Sequence, residues 1–140
     1  MGELTGRCFC GAVTWSAPGP VLWAGHCHCE SCRRATSSPF TSFFGVTRNS
    51  VSWQGDLAEY LTSDGKVRRQ FCPTCGCQMT YQANWWPDET HLYAASLDDP
   101  SSFEPQGHYH YAEKLPWVEI TDDLPKYAAS ADTADPLPEQ

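Results

Sequence analysis

His26-Cys27-His28-Cys29-Glu30-Ser31-Cys32-Arg33-Arg34 sets three cysteines in a C-x-C-x2-C run, flanked by two histidines and two arginines. Three thiolates on one short segment can hold a zinc ion and leave its fourth position open. Zinc takes four tetrahedral ligands; a closed four-cysteine site is structural, and a site with three protein ligands can be catalytic. Cys27, Cys29 and Cys32 are therefore the candidate reactive site. Side chains of an extended chain alternate between faces. If Cys27 and Cys29 face a metal, His26 and His28 face away from it.

Outward from this run lie the other cysteines, Cys8/Cys10 and Cys72/Cys75/Cys77. Cys72-Pro73-Thr74-Cys75-Gly76 is a C-P-x-C-G knuckle, a turn that supplies half of a four-cysteine site. Its complement is Cys8/Cys10, because the middle group already holds three thiols. Closing the roughly 60-residue loop between the two pairs costs ~3.6 kcal/mol. A structural zinc contributes about 10 kcal/mol or more, so separation in sequence is no obstacle. Clustered C-x-C and C-x2-C spacings point to metal rather than to a disulfide framework. Cys77 is left as a spectator thiol or a fourth ligand at the second site.

The segments between the cysteines are short and alternate with period two, as strands do. Val13 and Trp15 alternate with Thr14 and Ser16. Val21–Gly25, Phe40–Val46, Val51–Trp53 and His91–Leu97 are further strand candidates. Leu57–Leu61 and Val67–Phe71 flank an Asp64-Gly65 hairpin signal. Cys32–Thr36 reads as a brief helical turn, and Asp98–Phe103 starts like a capped one. No long segment has a 3.6-residue period. The expected fold is all-β, built of short antiparallel strands stapled by metal. The expected domain covers residues 1–127, and 128–140 reads as a disordered acidic tail, small, polar and proline-punctuated.

The 140 residues carry a formal charge of −8, and zinc-bound thiolates make the loaded chain more acidic still. Such a field repels phosphate backbones, which argues against a nucleic-acid partner. The first residues lack the basic and apolar regions of a signal peptide, and no apolar run reaches membrane-spanning length. A cytoplasmic protein with no membrane partner is expected, and there thiols stay reduced.

Three cysteine-bearing segments are Gly6-x-Cys8-x-Cys10-Gly11-Ala12-Val13, Cys27-His28-Cys29-x-x-Cys32-Arg33-Arg34 and Phe71-Cys72-x-x-Cys75-Gly76. With His108-Tyr109-His110-Tyr111, Lys114-Leu115-Pro116-Trp117 and Asp123-Leu124-Pro125, they resemble the glutathione-dependent formaldehyde-activating enzyme family, whose domain also occurs in centromere protein V. The resemblance spans roughly residues 4–127. It implies an Mss4-like, zinc-stapled β fold of the β-tent kind. It implies a structural zinc on Cys8, Cys10, Cys72 and Cys75, and a second, catalytic zinc on Cys27, Cys29 and Cys32. It also implies a carbon–sulfur lyase of the S-(hydroxymethyl)glutathione synthase kind, which joins glutathione to formaldehyde.

The residues accommodate that chemistry. An open zinc can hold a small-molecule thiol as thiolate or polarise an aldehyde. Arg33 and Arg34 are candidates for binding substrate carboxylates, because the guanidinium fork matches them. His108 and His110 could line a pocket or carry a proton. The competing readings are a non-enzymatic, zinc-stabilised protein-binding module and a thiol-based redox or metal sensor.

Overall fold

A computed structural model describes residues 3–130. Its chain forms ten short strands and one seven-residue helix among the described residues, an all-β protein as its alternating pattern requires. Its described residues divide into two compact units, 3–23 with 44–103 and 24–43 with 104–130.

In the first unit, β1 (Leu4–Arg7), β2 (Thr14–Ala17) and β5 (Ser52–Gln54) form a three-stranded sheet in the order β1-β2-β5. Both pairings are antiparallel, with Trp15 opposite Gly6 on one side and Trp53 on the other. The strands β6 (Ala58–Leu61), β7 (Val67–Phe71), β8 (Gln78–Ala83) and β9 (Glu89–Tyr93) follow one another as an antiparallel meander. Gly65 takes φ +74° at the β6–β7 turn, the left-handed conformation that the Asp-Gly pair predicts. Val13, Trp15, Phe44, Val46, Met79 and Leu92 are buried here, and Trp15 Nε1 donates to Ser96 Oγ at 3.1 Å. The β7–β8 turn is the Cys72–Cys77 knuckle.

In the second unit, β3 (Trp23–Cys27) delivers the central cysteine run and is followed at once by α1 (Glu30–Thr36). The strand β10 (His108–Tyr109) pairs with β3 in parallel, with His108 opposite His26 and Tyr109 opposite Cys27. That parallel pair departs from the expected all-antiparallel arrangement. Its partners are too far apart in sequence for local alternation to reveal. The strand β4 (Thr41–Thr47) carries the chain from this unit into the first. Of the expected tail, residues 131–140 lie outside the described residues, and Ala129 O accepts a hydrogen bond from His110 N at 3.0 Å.

Two candidate metal centres

The first cluster is made by two turns of the first unit. After Cys10, Gly11 takes φ +82°; after Cys75, Gly76 takes φ +77°. These left-handed residues, which glycine adopts without steric cost, fold each turn back on its first cysteine. Gly76 N–H then reaches Cys72 O at 2.8 Å and Gly11 N–H reaches Cys8 O at 3.3 Å. The same turns aim amides at sulfur: Val13 N–H lies 3.3 Å from Cys8 Sγ and Cys75 N–H lies 3.4 Å from Cys72 Sγ. As a result the sulfurs of Cys8, Cys10, Cys72 and Cys75 all lie within 4.8 Å of one another.

The second cluster is built by the end of one strand and the start of a helix. His28 N–H donates to Tyr109 O at 3.0 Å, so the extended chain continues past β3. Cys29 is still extended at ψ 147° and caps α1, its sulfur accepting the Cys32 N–H at 3.3 Å. Alternation and helical turn together bring the sulfurs of Cys27, Cys29 and Cys32 within 4.8 Å of one another.

Both groups are compact enough to surround one metal ion. A tetrahedron with Zn–S bonds of about 2.3 Å has sulfur–sulfur edges of ~3.8 Å. Cys8–Cys10 at 3.7 Å, Cys10–Cys72 at 3.8 Å and Cys27–Cys32 at 3.8 Å come near that edge. The thiol chemistry agrees. Backbone N–H groups of Cys10 and Cys77 hold the Cys75 thiol down at about 6. Interaction with Cys29 and Cys32, then burial, push the Cys27 thiol far up. Sulfurs this close cannot all ionise without a cation among them, and a divalent ion removes that conflict. The donor sets could therefore hold metal, four sulfurs in one place and three in the other. Burial does not separate them: Cys10 is exposed in the four-sulfur group, while Cys29 is half-buried in the other. Closure rests on the number of sulfurs, not on a covering layer.

The structure also locates the remaining candidates. Cys77 joins neither group; its Sγ donates to Gln78 O at 3.7 Å. Arg33 is tied to backbone, Nε to His28 O at 3.1 Å and Nη2 to Glu113 O at 3.2 Å. Arg34 faces solvent and pairs with Glu30 at 2.9 Å. His110 is left-handed, half-buried and 3.5 Å from Glu113. His108 is buried between His28 and Asp122, with 2.9 Å to each. His26 stacks on it at 4.9 Å and binds Ser42 Oγ at 2.8 Å. Asp122 was not singled out by sequence. It sits in an acidic, proline-bounded stretch with no periodicity; a parallel bridge from Lys126 to His108 brings its neighbourhood to β10, which in turn pairs with β3.

Comparison with known proteins matches this geometry to a family. The model of the glutathione-dependent formaldehyde-activating enzyme family matches residues 3–113, which include all eight cysteines. A Schizosaccharomyces pombe protein described as an uncharacterized lyase is 35% identical over 81 residues, 58% of this chain and 58% of its own length. The chain thus spans a little over half of that relative. A Halomonas elongata protein described as a candidate glutathione-dependent formaldehyde-activating enzyme is 27% identical over 130 residues, 84% of this chain and 80% of its own. The crystal structure of a Rhodobacter sphaeroides protein superposes with a TM-score of 0.58 at 25% identity, covering 70% of this chain and 93% of that one. Among the described residues no helix is long and apolar enough to cross a membrane. With the cysteine turns, the clustered sulfurs and most of its length accounted for by one family model, the chain belongs to the glutathione-dependent formaldehyde-activating enzyme family.

Proposed function

We propose that this protein is a zinc-dependent carbon–sulfur lyase acting on thiol–aldehyde adducts, of the glutathione-plus-formaldehyde type. The observation that carries the reading is a three-sulfur cluster in addition to a four-sulfur one. Cys8, Cys10, Cys72 and Cys75 would complete one zinc and staple the β7–β8 turn to the N-terminal turn. Cys27, Cys29 and Cys32 would hold a second and leave one position for a small molecule. When bound, that zinc supplies Lewis acidity and a docking point for a thiolate.

The chain's own groups prepare the place. The Cys32 N–H donates to Cys29 Sγ at 3.3 Å and helps hold that sulfur in the cluster. Arg33, anchored by two carbonyls beside the cluster, holds a fixed positive charge there. It is better placed than Arg34, already paired with Glu30, to meet a substrate carboxylate. In the forward direction sulfur bonds to the aldehyde carbon, the carbonyl π pair moves to oxygen, and the thiol proton ends on that oxygen. The likeness to proteins described as a lyase and as a candidate formaldehyde-activating enzyme supports this reading.

The test is turnover by the zinc-loaded protein with glutathione and a panel of aldehydes, the adducts detected by mass. Adduct formation or cleavage faster than the uncatalysed rate is expected. A protein that binds two zinc ions and changes no rate for any pair would overturn the assignment.

A further inference from the structure

Two opposite charges are fixed beside the three-cysteine cluster and are not paired with each other. Arg33 follows Cys32 in the chain. Its Nε donates to His28 O at 3.1 Å and its Nη2 to Glu113 O at 3.2 Å. These two bonds use the Nε/Nη2 edge of the guanidinium and fix its plane. Among the described residues nothing engages Nη1, so the fork between Nη1 and Nη2 stays open.

Glu113 comes from the segment after β10. That segment runs beside the cysteines because His28 N–H donates to Tyr109 O at 3.0 Å. Glu113 Oε1 accepts the Glu30 N–H at 3.1 Å, the amide that follows Cys29. Its Oε2 meets His110 Nδ1 at 3.5 Å, too long for a good hydrogen bond. The Glu113 side chain is 45% exposed and so open to a molecule arriving from solvent. Arg33 Nη2 rests on the main-chain oxygen of the same residue, so little more than the Glu113 side chain separates the two charges. Sequence reading passed over Glu113, which stands in no motif.

The other charges of α1 behave differently. Arg34 and Glu30 close on each other at 2.9 Å and satisfy one another. Arg33 and Glu113 are each held by main chain instead, which keeps both charges available and already ordered, and ordering in advance lowers the cost of binding. An open guanidinium fork matches a carboxylate with two parallel bonds. A carboxylate oxygen only accepts, and an ammonium only donates. A ligand with an anion and a cation on one carbon satisfies both groups.

We infer that Arg33 and Glu113 form a receptor for an α-amino-acid head group: the Arg33 fork takes its carboxylate and Glu113 Oε2 takes its ammonium. This rests on the reading of the three-cysteine site given above and names the class of thiol that the site accepts. Glutathione carries such a head at its γ-glutamyl end. Its other carboxylate, with no ammonium beside it, is not the one read here. Glu113 is thus a specificity-determining residue.

Calorimetric titration of the zinc-loaded full chain tests this, with glutathione and with its γ-glutaryl analogue, which lacks only the amino group. The parent should bind glutathione about tenfold more tightly than the analogue, as for one hydrogen bond to a charged group. Glu113→Gln keeps an oxygen for the Glu30 N–H and turns its NH2 toward the ammonium. It should hold as much zinc as the parent by native mass spectrometry and bind the two ligands alike, glutathione about tenfold more weakly than the parent does. Equal affinity of the parent for both ligands overturns the inference, and that result needs no variant. So do a preference for glutathione that survives in Glu113→Gln, equal losses for both ligands, or no glutathione binding at all. Turnover is scored separately. Glutathione bound in the expected pattern, with no aldehyde adduct formed, sinks the lyase reading and leaves this one standing; turnover without the preference does the reverse.

Discussion

Cys29 sits where a helix N-cap sits, extended at φ −64° and ψ 147°, with its sulfur on the Cys32 N–H. An N-cap acceptor satisfies an amide that the helix cannot. The same sulfur belongs to the three-cysteine cluster. Serine separates the two roles, because its hydroxyl still caps but is a poor zinc ligand. Cys29→Ser should therefore stay folded with α1 intact and carry one zinc instead of two by native mass spectrometry. A variant that keeps both ions removes Cys29 from the ligand set. Cys77 is the contrasting thiol. Burial first of all raises its pKa, its Sγ donates to a carbonyl, and it joins neither cluster. Cys77→Ser should leave zinc content unchanged, and loss of an ion would make it a ligand.

Among the elements, the β6–β7 hairpin was legible because its signal is local: Asp64-Gly65 between two alternating runs. The Lys66 N–H, at 3.0 Å, and the Thr62 hydroxyl, at 2.7 Å, both donate to Asp64 Oδ1 and hold its carboxyl below the ordinary value. A depressed folded value means a contribution present above the ordinary carboxylate range and lost as pH falls through the depressed one. The Asp64 carboxyl 13C midpoint should thus lie below its midpoint in the denatured chain; equal midpoints would show that the turn does not hold the carboxylate. The knuckle and the 3-10 turn capped by Asp99 (Pro100–Ser102) were legible for the same reason. The start of α1 was not, since a cysteine cap carries no Ser or Asp signal. Nor was the choice of β2 as partner for β5, or of β3 for β10. Such partners are chosen by packing between residues as distant as His28 and His108, 80 positions apart, and period-two patterning is blind to it. Gly25 marks that contact: a Cβ there would collide with the Tyr109 ring and come within 2.9 Å of Gly107 O. Gly25→Ala should cost about 1–3 kcal/mol in denaturant unfolding, as overpacking does. An unchanged midpoint would mean that β10 does not press on β3.

At the scale of the whole chain, each compact unit holds one sulfur cluster of its own, four in the first and three in the second. A zinc site contributes about 10 kcal/mol or more, comparable to the roughly 5–15 kcal/mol that separates a folded domain from its unfolded chain. Removing the four-sulfur ion should therefore release β7, β8 and the N-terminal strands, whose turns it joins across 62 positions. Removing the three-sulfur ion should release only the end of β3 and α1, because β3 keeps its backbone pairing with β10. Fewer protein ligands also mean a lower barrier to a competing chelator. Graded chelation followed by native mass spectrometry and amide exchange should show one zinc lost first, with exchange rising at residues 27–36. The second should leave only with exchange across residues 4–17 and 67–83. Cys75→Ser should mimic that later stage from the outset and be unfolded or insoluble, unlike Cys29→Ser. If both ions left together, or the two variants behaved alike, unequal sulfur counts would not translate into unequal roles, and the three-cysteine cluster would lose its claim to be the reactive one.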